Sequence, residues 1–387
     1  MSRHHSHIAS AVKVIETAVP GEPLAHHLKK FFAADKKYGS KDRKTISSLC
    51  YNYYRIGDVL KGRPTEERIL AGAFLCGYEK SGLLEKQAPE WNDKVALPTE
   101  KKLALLRSSA ADIFPLQHFL SNEINAKAFA LSFLHQPPVY LRLRPGKEVK
   151  VLERLTEEKA AFAELSTSCI SMPAASKATE LIKINKDAVV QDLSSQQVFE
   201  YLQQDTVFVP KDAHVWDCCA ASGGKSILLY DLLHGHIELF VSDLRENILH
   251  NLRNRFKDAG IKHYHDHVAD LTDEHFSAPE NKYELIICDV PCSGSGTWSR
   301  NPDQAVLFVE KNISMYASKQ KQIAKAAAKA LKPGGFFFYI TCSAFRQENE
   351  DVVKNIVSET GLHLLESRYI KGYEHHADTM FVAVLSR

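Results

Sequence analysis

From about residue 206 to its end the chain alternates short apolar runs with amphipathic stretches, and this alternation constrains the fold more than any other feature. The runs "HVWDCCA", "IELFVSDL", "HYHDHVAD", "YELIICDVP" and "GGFFFYITCS" read as buried strands, with "HLLESRYI" and "TMFVAVLSR" as a last pair. Helices follow "GGKS", "ENILHN", "NPDQAVLF" and "RQENEDVVKNI". Strand and helix in turn predict an α/β fold, a doubly wound and mostly parallel sheet. Such sheets bind ligands outside the carboxyl ends of their strands. The residues that close each run therefore carry the functional reading.

With 387 residues the chain exceeds one ordinary core, so two or three domains are expected. Residues 1–133 read as helices, with apolar residues at helical spacing in "HIASAVKVIETAV" and "ISSLCYNYYRIGDVL". Between those two lies a basic run: Lys29, Lys30, Lys36, Lys37, Lys41, Arg43 and Lys44. Pro137 and Pro138 then stop a helix. "VYLRLR" alternates as a strand does, which puts Arg142 and Arg144 on one face. "VKVLERLTEEKAAFAEL" reads as an amphipathic helix and "ATELIKINKD" as a strand, so 134–205 is expected to be a small α+β unit and 206–387 the wound sheet.

A net charge of +2 makes any basic surface a local one. No apolar run approaches the ~18–20 residues of a membrane span. "MSRHHSHIAS" has no apolar signal core, so a cytoplasmic protein is expected. The histidines of that stretch read as a solvated terminus. The eight cysteines form no Cys-x-x-Cys pair, which argues against a zinc ribbon or thioredoxin-type centre, and no metal is expected.

The first strand runs into "DCCAASGGKS", residues 217–226. Glycines at a strand-to-helix turn let backbone approach a ligand, and the helix start offers N–H donors. A Walker loop would need glycine where Cys219 stands, and the dinucleotide pattern G-x-G-x-x-G is absent. Asp243, Asp270 and Asp289 close successive strands. The second-strand acid suits ribose hydroxyls and the third suits an adenine amino group. A ligand with ribose, adenine and a small charged end is S-adenosylmethionine.

Two thiols, Cys292 in "DVPCSGSG" and Cys342 in "YITCS", end neighbouring strand candidates. Each needs a nearby positive charge or N–H donors to ionise, and Lys225 is a candidate. "DVPCSGSG" resembles motif IV of cytosine carbon-5 methyltransferases. Together with "DCCAASGGKS", "YITCSAFRQENED" and "VVQDLSSQ", the set resembles the RsmB/Sun (Fmu) family of RNA cytosine-5 methyltransferases. "PPVYLRLRPG" resembles that family's RNA-binding insert, and "KYGSKDRKTISSLCYNYYRI" its NusB-like helical domain.

The resemblance implies a Rossmann-like domain that binds S-adenosylmethionine through Cys219, Ala220, Ala221, Ser222, Gly223, Gly224, Lys225, Asp243, Asp270 and Asp289. It implies Cys342 as nucleophile, Cys292 in product release, and Asp289 and Lys225 in support. Arg142, Arg144 and the basic run would hold RNA, favouring ribosomal RNA of the small subunit, with tRNA second, and the protein would act as a monomer. A DNA cytosine methyltransferase, with Cys292 as nucleophile, and a non-catalytic RNA-binding or assembly factor are the rival classes. The chain departs from the family in three places. Ser222 stands where the family's loop usually has proline, Arg144 where it usually has asparagine, and "ADTMFVAVL" replaces the usual Asp-Gly-Phe-Phe.

Overall fold

A computed structural model describes residues 3–19, 21–204 and 207–387. The boundary expected between 205 and 206 falls outside them. By packing, the chain divides into two units. One comprises the chain up to Leu120, Ile124–Gln136 and Thr297–Glu310; the other comprises Ser121–Glu123, Pro137–Gly296 and Lys311–Arg387.

The first unit is helical. Its longer helices are α1 (Arg3–Glu16), α2 (Leu24–Ala34), α3 (Ser40–Arg55) and α4 (Thr65–Cys76). Ile8, Ala11 and Val14 line one face of α1 and bury against Leu24, Leu28, Phe32, Ile46 and Leu49. Helical spacing in "ISSLCYNYYRIGDVL" extends past the observed end of α3. Gly57, at φ +55°, breaks it there, where a Cβ would lie 2.0 Å from the Ile113 carbonyl oxygen. Thr297–Glu310 joins this unit although it lies far along the chain. The Asp303 carboxylate accepts from the Leu24 amide at 3.0 Å, and the buried Arg55 guanidinium donates to the Ser299 carbonyl at 2.7 Å.

The second unit holds two sheets. The smaller is antiparallel, with β1 (Val139–Leu143), β2 (Ala163–Ser166), β3 (Cys169–Met172) and β4 (Ala188–Val190) in the order β2-β3-β1-β4. Helix α5 (Glu148–Glu157) covers it through Val151 and Leu155. Two expectations are corrected here. The helix read over "VKVLERLTEEKAAFAEL" stops at Glu157, with Lys159 at φ +51°, and "AELS" becomes the exposed edge strand β2. The strand read over "ATELIKINKD" is a helical turn, Ala178–Leu181, followed by a reversal at Asn185 (φ +65°).

The larger sheet contains β5 (Ala213–Asp217), β6 (Ile237–Asp243), β7 (Tyr264–Val268), β8 (Tyr283–Asp289), β9 (Leu331–Thr341), β10 (His363–Lys371) and β11 (Thr379–Ser386). Their order is β10-β11-β9-β8-β5-β6-β7. Strands β5 to β9 run parallel, and β10 and β11 are antiparallel. Val215, Leu239, Val241, Leu285 and Ile287 are fully buried, as the near-continuous apolar runs require. The helices are α6 (Gly224–Leu232), α7 (Glu246–Ala259), α8 (Asn312–Ala328) and α9 (Glu350–Thr360). The chain winds from β5 outward through β6 and β7, then returns to the other side of β5 with β8. The strand order thus reverses between β5 and β8, where doubly wound sheets place their ligand.

Among the described residues no helix is long and apolar enough to cross a membrane.

Candidate functional site

Asp217, at the carboxyl end of β5, is 1 % exposed and accepts from Ser226 Oγ at 2.6 Å. Burial pushes its carboxyl up to about 7. An acid whose folded pKa exceeds its unfolded value keeps its proton longer in the native state. Its contribution to stability is fully present below the ordinary value of 3.8 and is lost as pH rises through about 7. In Asp217→Asn this fall should disappear, which urea unfolding of both proteins across that range checks.

The loop after β5 turns through Ala221 at φ +46° and Gly223 at φ +80°. Only glycine fits at 223, because a Cβ would lie 2.6 Å from Phe256 Cε1 and 3.1 Å from Leu252 Cγ, both on α7. Gly224 opens α6. Ala220 is buried and its amide donates to the Ser242 carbonyl at 2.9 Å. Ser222 accepts twice from Arg255: at its carbonyl oxygen (3.0 Å) and at Oγ (2.7 Å).

A cleft of about 370 Å³ opens beside this loop, and Cys219, Ala221, Asp243, Asp270 and Asp289 all line it. Asp243 is 6 % exposed; its Oδ2 accepts from the Ala221 amide and its Oδ1 from the Arg245 amide and Nε, each at 3.0 Å. Asp270 Oδ1 accepts from the Thr272 amide (2.9 Å) and Oγ1 (2.6 Å), which hold this carboxyl below its ordinary value. Arg245, Thr272 and Lys319 also line the cleft. Sequence reading missed all three. Arg245 and Thr272 stand two residues past an acid already singled out, which was the available signal; Lys319 lies mid-helix on α8 and had none.

Lys225 leaves the loop toward β8 and donates to Asp289 Oδ2 at 2.6 Å. Burial works against its charge, but the Asp289 carboxylate and the nearby Cys342 outweigh it and hold the ammonium above its ordinary value. Three residues past Asp289 stands Cys292, and directly after β9 stands Cys342. Their sulfurs are 3.3 Å apart. The Cys342 sulfur and burial push the Cys292 thiol well up, with Glu348 adding to the effect.

The turn that carries Cys292 is pinned. Gly296 donates to the Cys342 carbonyl at 2.9 Å, and a Cβ there would lie 2.0 Å from the Thr379 carbonyl oxygen. Below it, fully buried Glu348 accepts from the Ser293 amide (2.8 Å), Gln320 Nε2 (3.0 Å) and Ser343 Oγ (3.1 Å). Glu348 thereby ties the β8 turn, the β9 turn and α8 together. Burial pushes the Cys50 and Cys76 thiols up to about 12 and raises those of Cys169 and Cys288. Cys218 is raised by burial, and Cys219 first by its neighbour Cys218 and then by burial.

The strand expected to present Arg142 and Arg144 to RNA does something else. Both side chains lie on one face, but they point inward to Asp231 on α6. Arg142 Nη1 donates to its Oδ2 at 2.7 Å and Arg144 Nη2 to its Oδ1 at 2.5 Å. Their side chains are 6 % and 11 % exposed. Arg142 also donates to Gln191 at 2.8 Å, and Arg144 to the Asn185 and Ala259 carbonyls. A buried carboxylate paired to both guanidinia holds them inside the fold, so the expectation of RNA contacts at these residues is corrected. Asp231→Ala should leave two buried cations unpaired and cost about 3–5 kcal/mol, read as a lowered urea midpoint.

The cleft suits an adenosyl ligand. Gly223 lets the loop pack closely on α7, buried Asp243 closes the second strand, and the half-buried Asp270 follows the third. A doubly wound sheet with this loop and a cleft at its reversal point defines a Rossmann-like methyltransferase domain. Residues 206–385 match the family described as 16S rRNA methyltransferase RsmB/F. This part of the chain is similar to the RsmB/F methyltransferases.

The curated relative "Ribosomal RNA small subunit methyltransferase B" of Salmonella heidelberg is 30% identical over 175 residues, which is 44% of this chain and 38% of the relative. Its namesake in Vibrio vulnificus is 32% identical over 177 residues, with the same coverage. The chain thus spans about two-fifths of the length of these relatives. Among solved structures, PH0851 superposes over 99% of this chain and 98% of its own with a TM-score of 0.73 at 17% identity. NSun6 from Pyrococcus horikoshii, solved with SFG, superposes over 70% of this chain and 96% of its own with a TM-score of 0.58, also at 17% identity. Both share the fold.

Proposed function

We propose that the protein transfers a methyl group from S-adenosylmethionine to carbon 5 of a cytidine in RNA, with small-subunit ribosomal RNA as the favoured substrate. The observation that carries this reading is the pair of thiols 3.3 Å apart, set beside the Lys225–Asp289 ion pair at the edge of the cleft. The RsmB/F match and the names of the curated relatives support the RNA class, and the SFG of the NSun6 structure, an S-adenosylmethionine analogue, supports the cofactor.

Bound S-adenosylmethionine would supply an electrophilic methyl on a sulfonium, held by the loop 219–224 and by Asp243 and Asp270. Carbon 5 of cytosine is a poor nucleophile. Thiolate addition at carbon 6 by Cys342 converts the ring to an enamine that can attack a methyl group. Asp289 holds the exocyclic amino group and ring nitrogen while the adduct forms. Lys225 keeps a positive charge next to the attacking sulfur and orients Asp289. Cys292, kept as a thiol, donates to Cys342 before attack; once carbon 5 gives up its proton to water, Cys292 donates to the departing Cys342 sulfur as the carbon–sulfur bond breaks. The target base must leave any stack to reach Cys342.

Exposed Lys29, Lys36, Lys41 and Lys44 of the helical unit provide cationic groups for an RNA backbone, a role from which Arg142 and Arg144 are removed. Asp243→Ala should weaken S-adenosylmethionine binding by about 1–3 kcal/mol, since a ribose donor loses its charged acceptor. Calorimetry checks it; unchanged affinity would take Asp243 out of the site.

The function itself is tested with methyl-labelled S-adenosylmethionine offered with small-subunit rRNA, tRNA or DNA, followed by bisulfite sequencing. A bisulfite-resistant cytidine in rRNA is expected. Label in tRNA alone moves the substrate, label in DNA alone moves the class, and cofactor binding without transfer to any of them favours a non-catalytic factor.

A further inference from the structure

Two of the chain's departures from its family's pattern meet in the structure. Ser222 replaces the proline of the cofactor loop, and Arg144 replaces an asparagine of the insert. A hydrogen-bond chain joins them. Arg144 Nη1 donates to the Asn185 carbonyl at 3.1 Å, Arg255 Nε donates to Asn185 Oδ1 at 3.1 Å, and Arg255 Nη1 donates to both Ser222 oxygens. Arg255 lies on the face of α7 that carries Leu252 and Phe256, the two side chains against which Gly223 packs. Its guanidinium also passes 3.9 Å from where a Cβ on Gly224 would stand.

Proline stiffens a turn by fixing φ, which lowers the conformational freedom the loop must give up when it closes on a ligand. Serine leaves that freedom in place. We propose that Arg255, braced through Asn185 by Arg144, is the positioning residue that substitutes for the missing proline and holds the loop in its binding conformation. Arg255 touches the loop from behind and not the ligand, so it acts through Ser222. What it holds in place is the turn at Ser222, between the Ala221 amide that donates to Asp243 and Gly224 at the start of α6. The inference rests on the reading of this loop as an S-adenosylmethionine site.

The test is calorimetric titration of the full chain with S-adenosylmethionine, paired with thermal melting of the same samples without it. Arg255→Ala should weaken binding about tenfold, the size of a lost hydrogen bond to a charged donor. Ser222→Ala, which keeps the carbonyl contact but loses Oγ, should weaken it less. The deciding variant is Arg255→Ala combined with Ser222→Pro. Proline is the residue usually found at this position in the family that the loop resembles, so Ser222→Pro puts the stiffer residue back in the same turn.

Recovery of affinity in the double variant, with no matching recovery of melting temperature, supports the inference. A general packing role for Arg255 would not be rescued by proline at another site. Wild-type affinity in Arg255→Ala, or weakened affinity that proline leaves unchanged, overturns it. Should Arg255→Ala fail to fold, Ser222→Ala and Ser222→Pro carry the test: weaker binding in the first and wild-type or tighter binding in the second support the clamp, and any other pattern overturns it. A wild-type chain that does not bind S-adenosylmethionine would instead sink the functional reading on which the inference rests.

Discussion

Cys342→Ala should abolish methyl transfer and form no covalent complex with RNA, whereas Cys292→Ala should still attach to its substrate and stay attached. The two sulfurs lie 3.3 Å apart, too close for both to carry a charge in a half-buried site. The environment divides the roles. Cys292 is pushed toward the thiol by its neighbour's sulfur, by burial and by Glu348, and the ammonium of Lys225, paired to Asp289, lies near Cys342. With Cys292 removed, addition and methylation can proceed, but expulsion of Cys342 loses its helper. A denaturing gel with labelled RNA reads the result directly. A slow-migrating band is expected for the Cys292 variant and none for the Cys342 variant. The reverse pattern would assign attack to the Pro-Cys thiol, as in the DNA enzymes.

Asp289→Ala should lower kcat by about 10²–10⁴, the range for a group that acts on the reacting centre. Asp289 closes β8 next to the point where the strand order reverses, lines the cleft, and receives Lys225 at 2.6 Å. Its loss strips the adduct of its partner at the amino group. It also releases Lys225, so the charge beside Cys342 is no longer held in one place. Single-turnover kinetics with saturating cofactor and RNA separates this from a binding defect. A fall in affinity alone, with the chemical step intact, would make Asp289 a cofactor residue only.

Much of the larger sheet was readable in the sequence because buried parallel strands announce themselves. "LFV" and "LIIC" carry no polar residue, since both sides of each strand are covered. An acid at the end of such a run must lie at the sheet's carboxyl edge. This is why Asp243 and Asp289 could be placed at one rim from sequence, and why the two thiols could be placed at neighbouring strand ends; "HYHDHVAD", expected to be a buried strand, is the largely exposed edge strand β7, and Asp270 follows it. The smaller sheet was harder. "AELS" is exposed along its whole length, so its period carries no burial signal, and only pairing with β3 makes it a strand.

The arginines of β1 mark the boundary of sequence reasoning most clearly. Alternation correctly put Arg142 and Arg144 on one face. Whether that face meets solvent or another element depends on Asp231, 87 residues beyond Arg144 and itself unremarkable in sequence. Thr297–Glu310 is a similar case. Nothing in "TWSRNPDQAVLFVE" says that it packs with the helical unit; the Leu24 amide and the Arg55 guanidinium decide it.

Local period and backbone limits at single positions made legible the buried strands of the larger sheet, the glycine turn, and the acids and thiols that follow those strands. Only the tertiary structure decided which of those ends meet. The 3.3 Å between two thiols 50 residues apart, the Lys225–Asp289 contact and the grip of Arg255 on Ser222 all depend on the strand order around β5 and on how α7 packs against the loop. Those are long-range choices, made by the burial of whole faces against one another, and no short stretch of residues contains them.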